Sequence, residues 1–234
     1  MARARMGLDE VLKNLKVAAV PRAEEGVRAG LTTRSAYGVS IPTLRKLARA
    51  IGRNHLLAQR LWEIEIRETR LLAGMIADPD QVTVELMEKW LAAVADQELC
   101  DQTCMNLFEK TCLAYSKAVE WSSRPEEFVK RAGFVMMARL AMNGRQMVDA
   151  HFLAFLPLIE KEATDNRLAV RKALSWALRK IGKRNEYLNE QAIVVALRLK
   201  QMENQSARWI AGDALRELQG AAVLERLGSR GLVS

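Results

Sequence analysis

Residues 167–183 read RLAVRKALSWALRKIGK. Val170, Leu174, Ala177, Leu178 and Ile181 recur at the i, i+3, i+4, i+7 spacing that lines one face of a helix. Lys172, Arg179 and Lys183 fall elsewhere, and at about 100° per residue Trp176 lies roughly 150° from the centre of the apolar stripe. The stretch therefore reads as an amphipathic helix with a tryptophan set among cations. Within it, Arg171 heads a stripe of Leu174, Ser175 and Leu178, and the same arrangement returns along the chain. Glu68 precedes Leu71, Leu72 and Met75, and Asp101 precedes Cys104, Met105 and Phe108. Arg131 precedes Phe134, Val135 and Ala138, and Arg208 precedes Ala211, Gly212 and Leu215. Each time a charged residue heads a mainly apolar stripe, at intervals of roughly 30 to 40 residues.

Working outward, helical periodicity runs through 8–19, 23–30, 42–52, 55–62, 66–77, 82–95 and 98–113, then through 116–122, 125–142, 146–163, 167–183, 187–202 and 205–219. Pro42 and Pro125 sit where a first-turn proline is tolerated, and Glu126 and Glu127 suit the positive end of a helix dipole. Asp78-Pro79-Asp80 reads as a turn, and 32–41 (TTRSAYGVSI) as the longest loop. No alternating strand pattern emerges. Irregular helical hairpins of this length stack on one another to bury a continuous core. The sequence thus predicts an all-α, HEAT-like helical-repeat solenoid with a concave basic face, a single domain over 1–234.

Half of the 234 residues are apolar, which excludes disorder as the general state. No apolar run approaches the roughly 20 residues that span a bilayer. The opening MARARMGLDE has no apolar segment behind its basic residues, so the expectation is a cytoplasmic protein and no membrane partner. The net charge of +8 is unevenly placed. Basic zones over 1–50 and 151–200 flank an acidic 51–100, a pattern that suggests an anionic partner.

Several chemistries find no residues to carry them. There is no Gly-rich phosphate loop, no G-x-S-x-G, no H-E-x-x-H and no C-x-x-C. The only histidines are His55 and His151. Cys100 and Cys104 stand one helical turn apart without further ligands, and read as small core residues. No metal or organic cofactor is expected. Asp101 and Arg131 both head apolar faces, where a charge must be paired, hydrogen-bonded or exposed in a functional pocket. On a helical wheel Asp101 shares its face with Met105, Phe108 and Cys112. Two readings stand: an acid–base ladder knitting repeats together, or a carboxylate and a guanidinium on the floor of a cleft. Trp176 is likewise either an exposed aromatic facing a polyanion or core to a neighbouring repeat. Trp121 and Trp209 lack cationic company and read as structural.

Five segments carry a resemblance. YGVSIPTLRKLAR (37–49), LCDQTCMNLF (99–108), FVKRAGFVMMA (128–138), VRKALSWALRKIGKRN (170–185) and SARWIAGDALREL (206–218) resemble, in order, the AlkD-like family of DNA alkylation repair proteins. The resemblance implies a DNA glycosylase that removes cationic alkylated purines such as 3-methyladenine and 7-methylguanine from duplex DNA. Such an enzyme stabilises an oxocarbenium-like sugar electrostatically, without the enclosed base pocket of base-flipping enzymes. By the same resemblance, Asp101 looks like the catalytic aspartate, Arg131 like an arginine on the backbone beside the lesion, and Trp176 like the aromatic beside the sugar. Lys172, Arg179, Lys180, Lys183 and Arg184 would contact phosphates, which position a duplex without reading sequence. One departure matters: where the family places a tryptophan four residues before the aspartate, this chain has Gln97. Its loss removes a cation–π surface from the sugar site. The expected protein is a monomer gripping duplex DNA. The alternatives are a DNA-binding solenoid without base excision and, more remotely, a protein-binding scaffold.

Overall fold

The computed structural model describes residues 6–19 and 37–231. The helix predicted over 23–30, and the loop of 32–41 up to residue 36, lie outside the described residues. Among the described residues every regular element is a helix, and the chain forms two compact units, Met1–Cys112 and Leu113–Ser234.

The first unit holds α1 (Leu8–Val17), α2 (Ile41–Ile51), α3 (His55–Trp62), α4 (Arg67–Ile76), α5 (Val84–Ala92) and α6 (Gln97–Asn106). Short polar side chains start most of them by accepting a backbone N–H that the first turn leaves orphaned. Ser40 caps α2, Asn54 α3, Thr83 α5 and Asp96 α6. α4 is central, packing on α2, α3 and α6. Trp62 and Trp90 stack with ring centroids 4.2 Å apart and join α3 to α5. Arg70 lies over the Trp62 ring and donates to its carbonyl at 3.3 Å.

The second unit holds α7 (Ala114–Ser122), α8 (Glu127–Asn143), α9 (Asp149–Leu153), α10 (Leu156–Glu162), α11 (Leu168–Ile181), α12 (Glu186–Gln201), α13 (Gln205–Leu218) and α14 (Ala221–Gly231). α8 packs on α7 and α11, and α13 packs on α11 and α12. The α7–α8 contact is backbone-close at Gly133, where an added Cβ would lie 2.6 Å from the Ser122 nitrogen. Between α8, α10 and α11, Lys130 donates to Glu162 at 2.5 Å, and Asp165 takes a bidentate grip from Arg167.

The repeat register holds: Glu68, Asp101, Arg131, Arg171 and Arg208 stand on α4, α6, α8, α11 and α13. Their stripes supply much of the core, with Leu72, Cys104, Phe134, Leu174 and Ala211 all fully buried. Three expectations need correction. The helix predicted over 98–113 ends at Asn106, and Phe108–Lys110 is a separate 3-10 turn. Leu107 leaves the helical backbone there (φ −126°, ψ −66°), which lets Phe108 become fully buried. The helix predicted over 146–163 is two, α9 and α10. Pro157 has no N–H to continue α9, and it occupies the first turn of α10 instead. Finally, the chain forms a further helix, α14, beyond the last one that the periodicity predicts.

Candidate nucleic-acid interface

α11 carries the feature that the sequence made most conspicuous. Val170, Leu174, Ala177, Leu178 and Ile181 are fully buried, against α8 and α13. On the other side Lys172 is exposed, and Trp176, Arg179, Lys180 and Lys183 are half-buried. These cations divide into two kinds. Arg179 pairs with Glu217 and, at 3.2 Å, with Asp213, while Lys183 also pairs with Glu217. α13 thus balances two of them. Lys172 and Lys180 have no ion pair among the described residues. Trp176 therefore presents its half-exposed ring beside an unbalanced lysine on either side.

Arg131, expected on the backbone beside the lesion, and Arg184, expected at a phosphate, both bond to the fold. Arg131, only 2% exposed, donates to the Ala169 carbonyl and so fastens α8 to the first turn of α11. Arg184 donates to the carbonyls of Ala141 (2.7 Å) and Gly144 (3.2 Å), which satisfies the end of α8. Its guanidinium lies 3.9 Å from the Phe152 ring centroid. Burial pushes its pKa below the ordinary arginine value, and Asp149 opposes the shift.

In the first unit, Asp96 opens α6 by accepting from the Leu99 N–H at 2.9 Å. Gln97 is exposed and Asp101, one turn on, is half-buried, whereas Cys100, Thr103 and Cys104 on the opposite side are buried. The face predicted for Asp101 is shorter than expected. It continues to Met105, but the break at Leu107 sends Phe108 into the core and leaves Cys112 exposed beyond the helix. Beside Asp101, Glu98 receives Arg67 at 2.7 Å. Arg67 also donates to the fully buried Glu68, which accepts the Tyr37 N–H at 3.0 Å. Those three links tie the YGVS loop to α4 and α4 to α6. Asp101 stands in the first unit, and Arg131, Trp176 and the α11 cations stand in the second.

Sequence reasoning missed two features. Trp209, read as structural for want of cationic company, is 39% exposed and has the Arg171 guanidinium 4.7 Å from its ring centroid. The signal was present, because Arg171 and Trp209 are offset by a single position in the repeat register. Trp121 is fully buried, in line with its structural reading, but it does not lack a cation, since the Lys117 ammonium lies 5.9 Å from its ring centroid. The second feature is the outer side of α2, where Arg45, Lys46 and Arg49 are exposed without an ion pair among the described residues. Arg45 and Arg49 share one face at the i, i+4 spacing. Among the described residues no three His, Cys, Asp or Glu side chains converge to hold a metal ion, and no helix is long and apolar enough to cross a membrane.

The sequence model of a family described as DNA alkylation repair enzyme matches residues 11–218. A solved structure described as "a new family of proteins related to the HEAT-like repeat DNA glycosylases with affinity for branched DNA structures" superposes with a TM-score of 0.76. It shares 18% identity, and the match covers 91% of this chain and 96% of that one. The fold is therefore of the HEAT-like repeat type. No curated protein matches the chain.

Proposed function

This chain belongs to the family of DNA alkylation repair enzymes, and from that membership we propose that it is a DNA glycosylase acting on cationic alkylpurines in duplex DNA. The observation that carries the DNA reading is the solvent side of α11, where Lys172, Trp176 and Lys180 stand together opposite a fully buried stripe. Unbalanced lysines suit phosphates, and an aromatic face between them suits a sugar or base edge. In a base alkylated at N3 or N7 the N-glycosidic bond is already weakened. As it breaks, its electron pair goes to the base, which leaves neutral, and C1′ becomes oxocarbenium-like. Water then adds to C1′ and sheds a proton. A carboxylate beside the sugar lowers the energy of the cationic stage. Asp101 fills that role in this reading, since it is half-exposed on α6 rather than sealed in the core.

The test is release of 7-methylguanine from methylated duplex DNA by the unaltered chain and by Asp101→Asn. The substitution keeps size and one acceptor oxygen but removes the charge. Release should fall by at least a hundredfold while duplex affinity stays within about twofold, a loss of the size seen when one electrostatic stabiliser is deleted. Equal release from both proteins sinks the role given to Asp101.

Gln97 supports a second reading. It is exposed one turn before Asp101, where the resemblance expects an aromatic, so the residue at that position offers no cation–π surface. The similar solved structure is described by its affinity for branched DNA rather than by base release. A DNA-binding protein without excision would bind duplex or branched DNA in a salt-dependent way, with no base released by the unaltered chain.

A further inference from the structure

Beyond α11's solvent side, the second unit contains a cleft of about 510 Å³ whose lining is markedly one-signed. Arg145, Lys180, Lys183, Arg184 and Arg226 line it, with Ala141 and Met142 and no carboxylate. We infer that this cleft is a phosphate-binding site that seats a phosphodiester segment of bound DNA, with Arg145 and Arg226 adding to the phosphate grip of α11. The inference rests on the DNA-binding reading given above.

The fold accounts for two of these cations by itself. Arg184 satisfies the end of α8, and Arg226 donates to the Lys183 carbonyl at 3.0 Å, just past the end of α11. Cations are favoured at both places by the negative ends of the helices. It does not account for the rest. Arg145 and Lys180 cap nothing with their side chains and have no ion pair among the described residues. The Arg184 Nε is buried without an acceptor, although both terminal nitrogens of the same guanidinium are used. A buried donor left over in this way is costly unless something accepts from it. Glu217 approaches Lys183 from α13 but lies outside the lining. Even so, burial together with Lys180, Arg179 and Arg226 brings the Lys183 pKa down to about 8. Like charges are held together here without enough compensating anion, and a phosphate would relieve that repulsion. The cleft also adjoins the Lys172–Trp176–Lys180 lane, since Lys180 belongs to both. A backbone following that lane reaches the cleft by its next phosphates.

The experiment measures duplex affinity as a function of salt for the unaltered chain, for Arg145→Gln/Arg226→Gln and for Lys172→Gln. Arg145 and Arg226 are exposed, so the double variant should remain folded, with at most a small fall in melting temperature from the lost Arg226 bond to the Lys183 carbonyl. Withdrawing one cation from its phosphate flattens the log–log salt dependence by about 0.9. The double variant should therefore reduce the slope by about 1.8 and bind several-fold more weakly at about 150 mM salt on any sequence, and Lys172→Gln should reduce it by about 0.9. A double variant that keeps the parental slope, while Lys172→Gln flattens it, refutes the cleft and leaves the DNA reading standing. An unaltered chain with no salt-dependent duplex binding refutes both. Inorganic pyrophosphate separates a backbone site from a small-anion site. If it competes with DNA only at millimolar concentration, the seat is for a backbone; if it binds tightly and DNA does not displace it, the assignment to DNA is wrong.

Discussion

Arg184 offers the sharpest test of how the cations are divided between fold and ligand. Arg184→Met keeps most of the apolar stem but removes two donors from the end of α8 and the cation above Phe152. Hydrogen bonds from a charged donor each contribute about 1.5–3 kcal/mol, and the longer of these, at 3.2 Å, belongs at the lower end of that range. A cation over a ring adds about 0.5–1 kcal/mol when partly exposed. Against this, the burial that depresses the Arg184 pKa is relieved when the charge is removed. The net loss should be about 2–3 kcal/mol, and for a chain of this length ~2–4 °C of melting temperature accompanies each kcal/mol. Thermal unfolding followed by circular dichroism should show Arg184→Met melting about 5–10 °C below the parent, while Lys172→Met, which removes an exposed lysine, stays within about 2 °C. Hydrogen exchange should also quicken at the end of α8, where the Gly144 N–H donates to Leu140. If Arg184→Met melts with the parent, Arg184 is not a clamp on α8 and its role belongs wholly to the ligand.

Three other perturbations follow from the same geometry. Gly133→Ala places a methyl group 2.6 Å from the backbone nitrogen of Ser122, which no side-chain rotation relieves; it should cost about 1–3 kcal/mol, and an unchanged melting temperature would show that α7 and α8 have room to part. Burial works against the Asp165 carboxylate, yet Arg167 and Lys130 hold its pKa below the ordinary value. The unfolded chain therefore binds the extra proton first, so the stabilisation is present above about pH 4 and fades as pH falls below it; Asp165→Asn should flatten this acid limb, and an identical limb in the variant contradicts the network. Lys183 titrates near 8, facing Arg179 and Lys180 on α11, Glu217 on α13 and Arg226 on α14. Between about pH 8 and its ordinary value of 10.5 the unfolded chain holds the additional proton, so this residue makes stability rise with pH over that window. Duplex affinity should move the other way, falling from about pH 7 to 9 as the charge leaves. Lys183→Met should remove that part of the fall, and an equal fall in both proteins rules Lys183 out as its source.

The fold was largely legible because periodicity reports burial directly. The stripe of α11 came out buried at every predicted position, and the five register residues fell on five packed helices. The sequence misled where a tertiary demand outweighed local pattern. Residues 98–113 keep a helical period, but continuing the helix would leave Phe108 on the half-exposed face of Asp101, and burying that ring is worth more than the hydrogen bonds of one further turn. At 146–163 the period also persists, yet the proline needs a new first turn. Trp209 was misjudged for a different reason. Its cationic neighbour comes from α11, and a search within one helix does not see across to the next.

The candidate site was legible in composition and much less so in role. The sequence identifies α11 as basic, but it cannot say which cations are already committed. Geometry divides them by what each touches. Arg131 fastens α8 to α11, Arg184 closes the end of α8, Arg179 and Lys183 are offset by Glu217, and Lys172 and Lys180 remain for a partner. A phosphate-binding cation must surrender solvent and counterions, not an intramolecular partner. A buried arginine already bonded to a carbonyl would have to give that bond up to bind DNA, at a cost near what the new interaction returns. The salt dependence of binding should therefore follow Lys172, Lys180 and Arg145, together with Arg226, which is exposed at the cleft although it donates to the Lys183 carbonyl, whereas Arg131 should register chiefly in stability. Substituting Arg131 by Met and then finding normal stability with a flattened salt slope would reverse that order and return Arg131 to the DNA surface that the sequence first suggested.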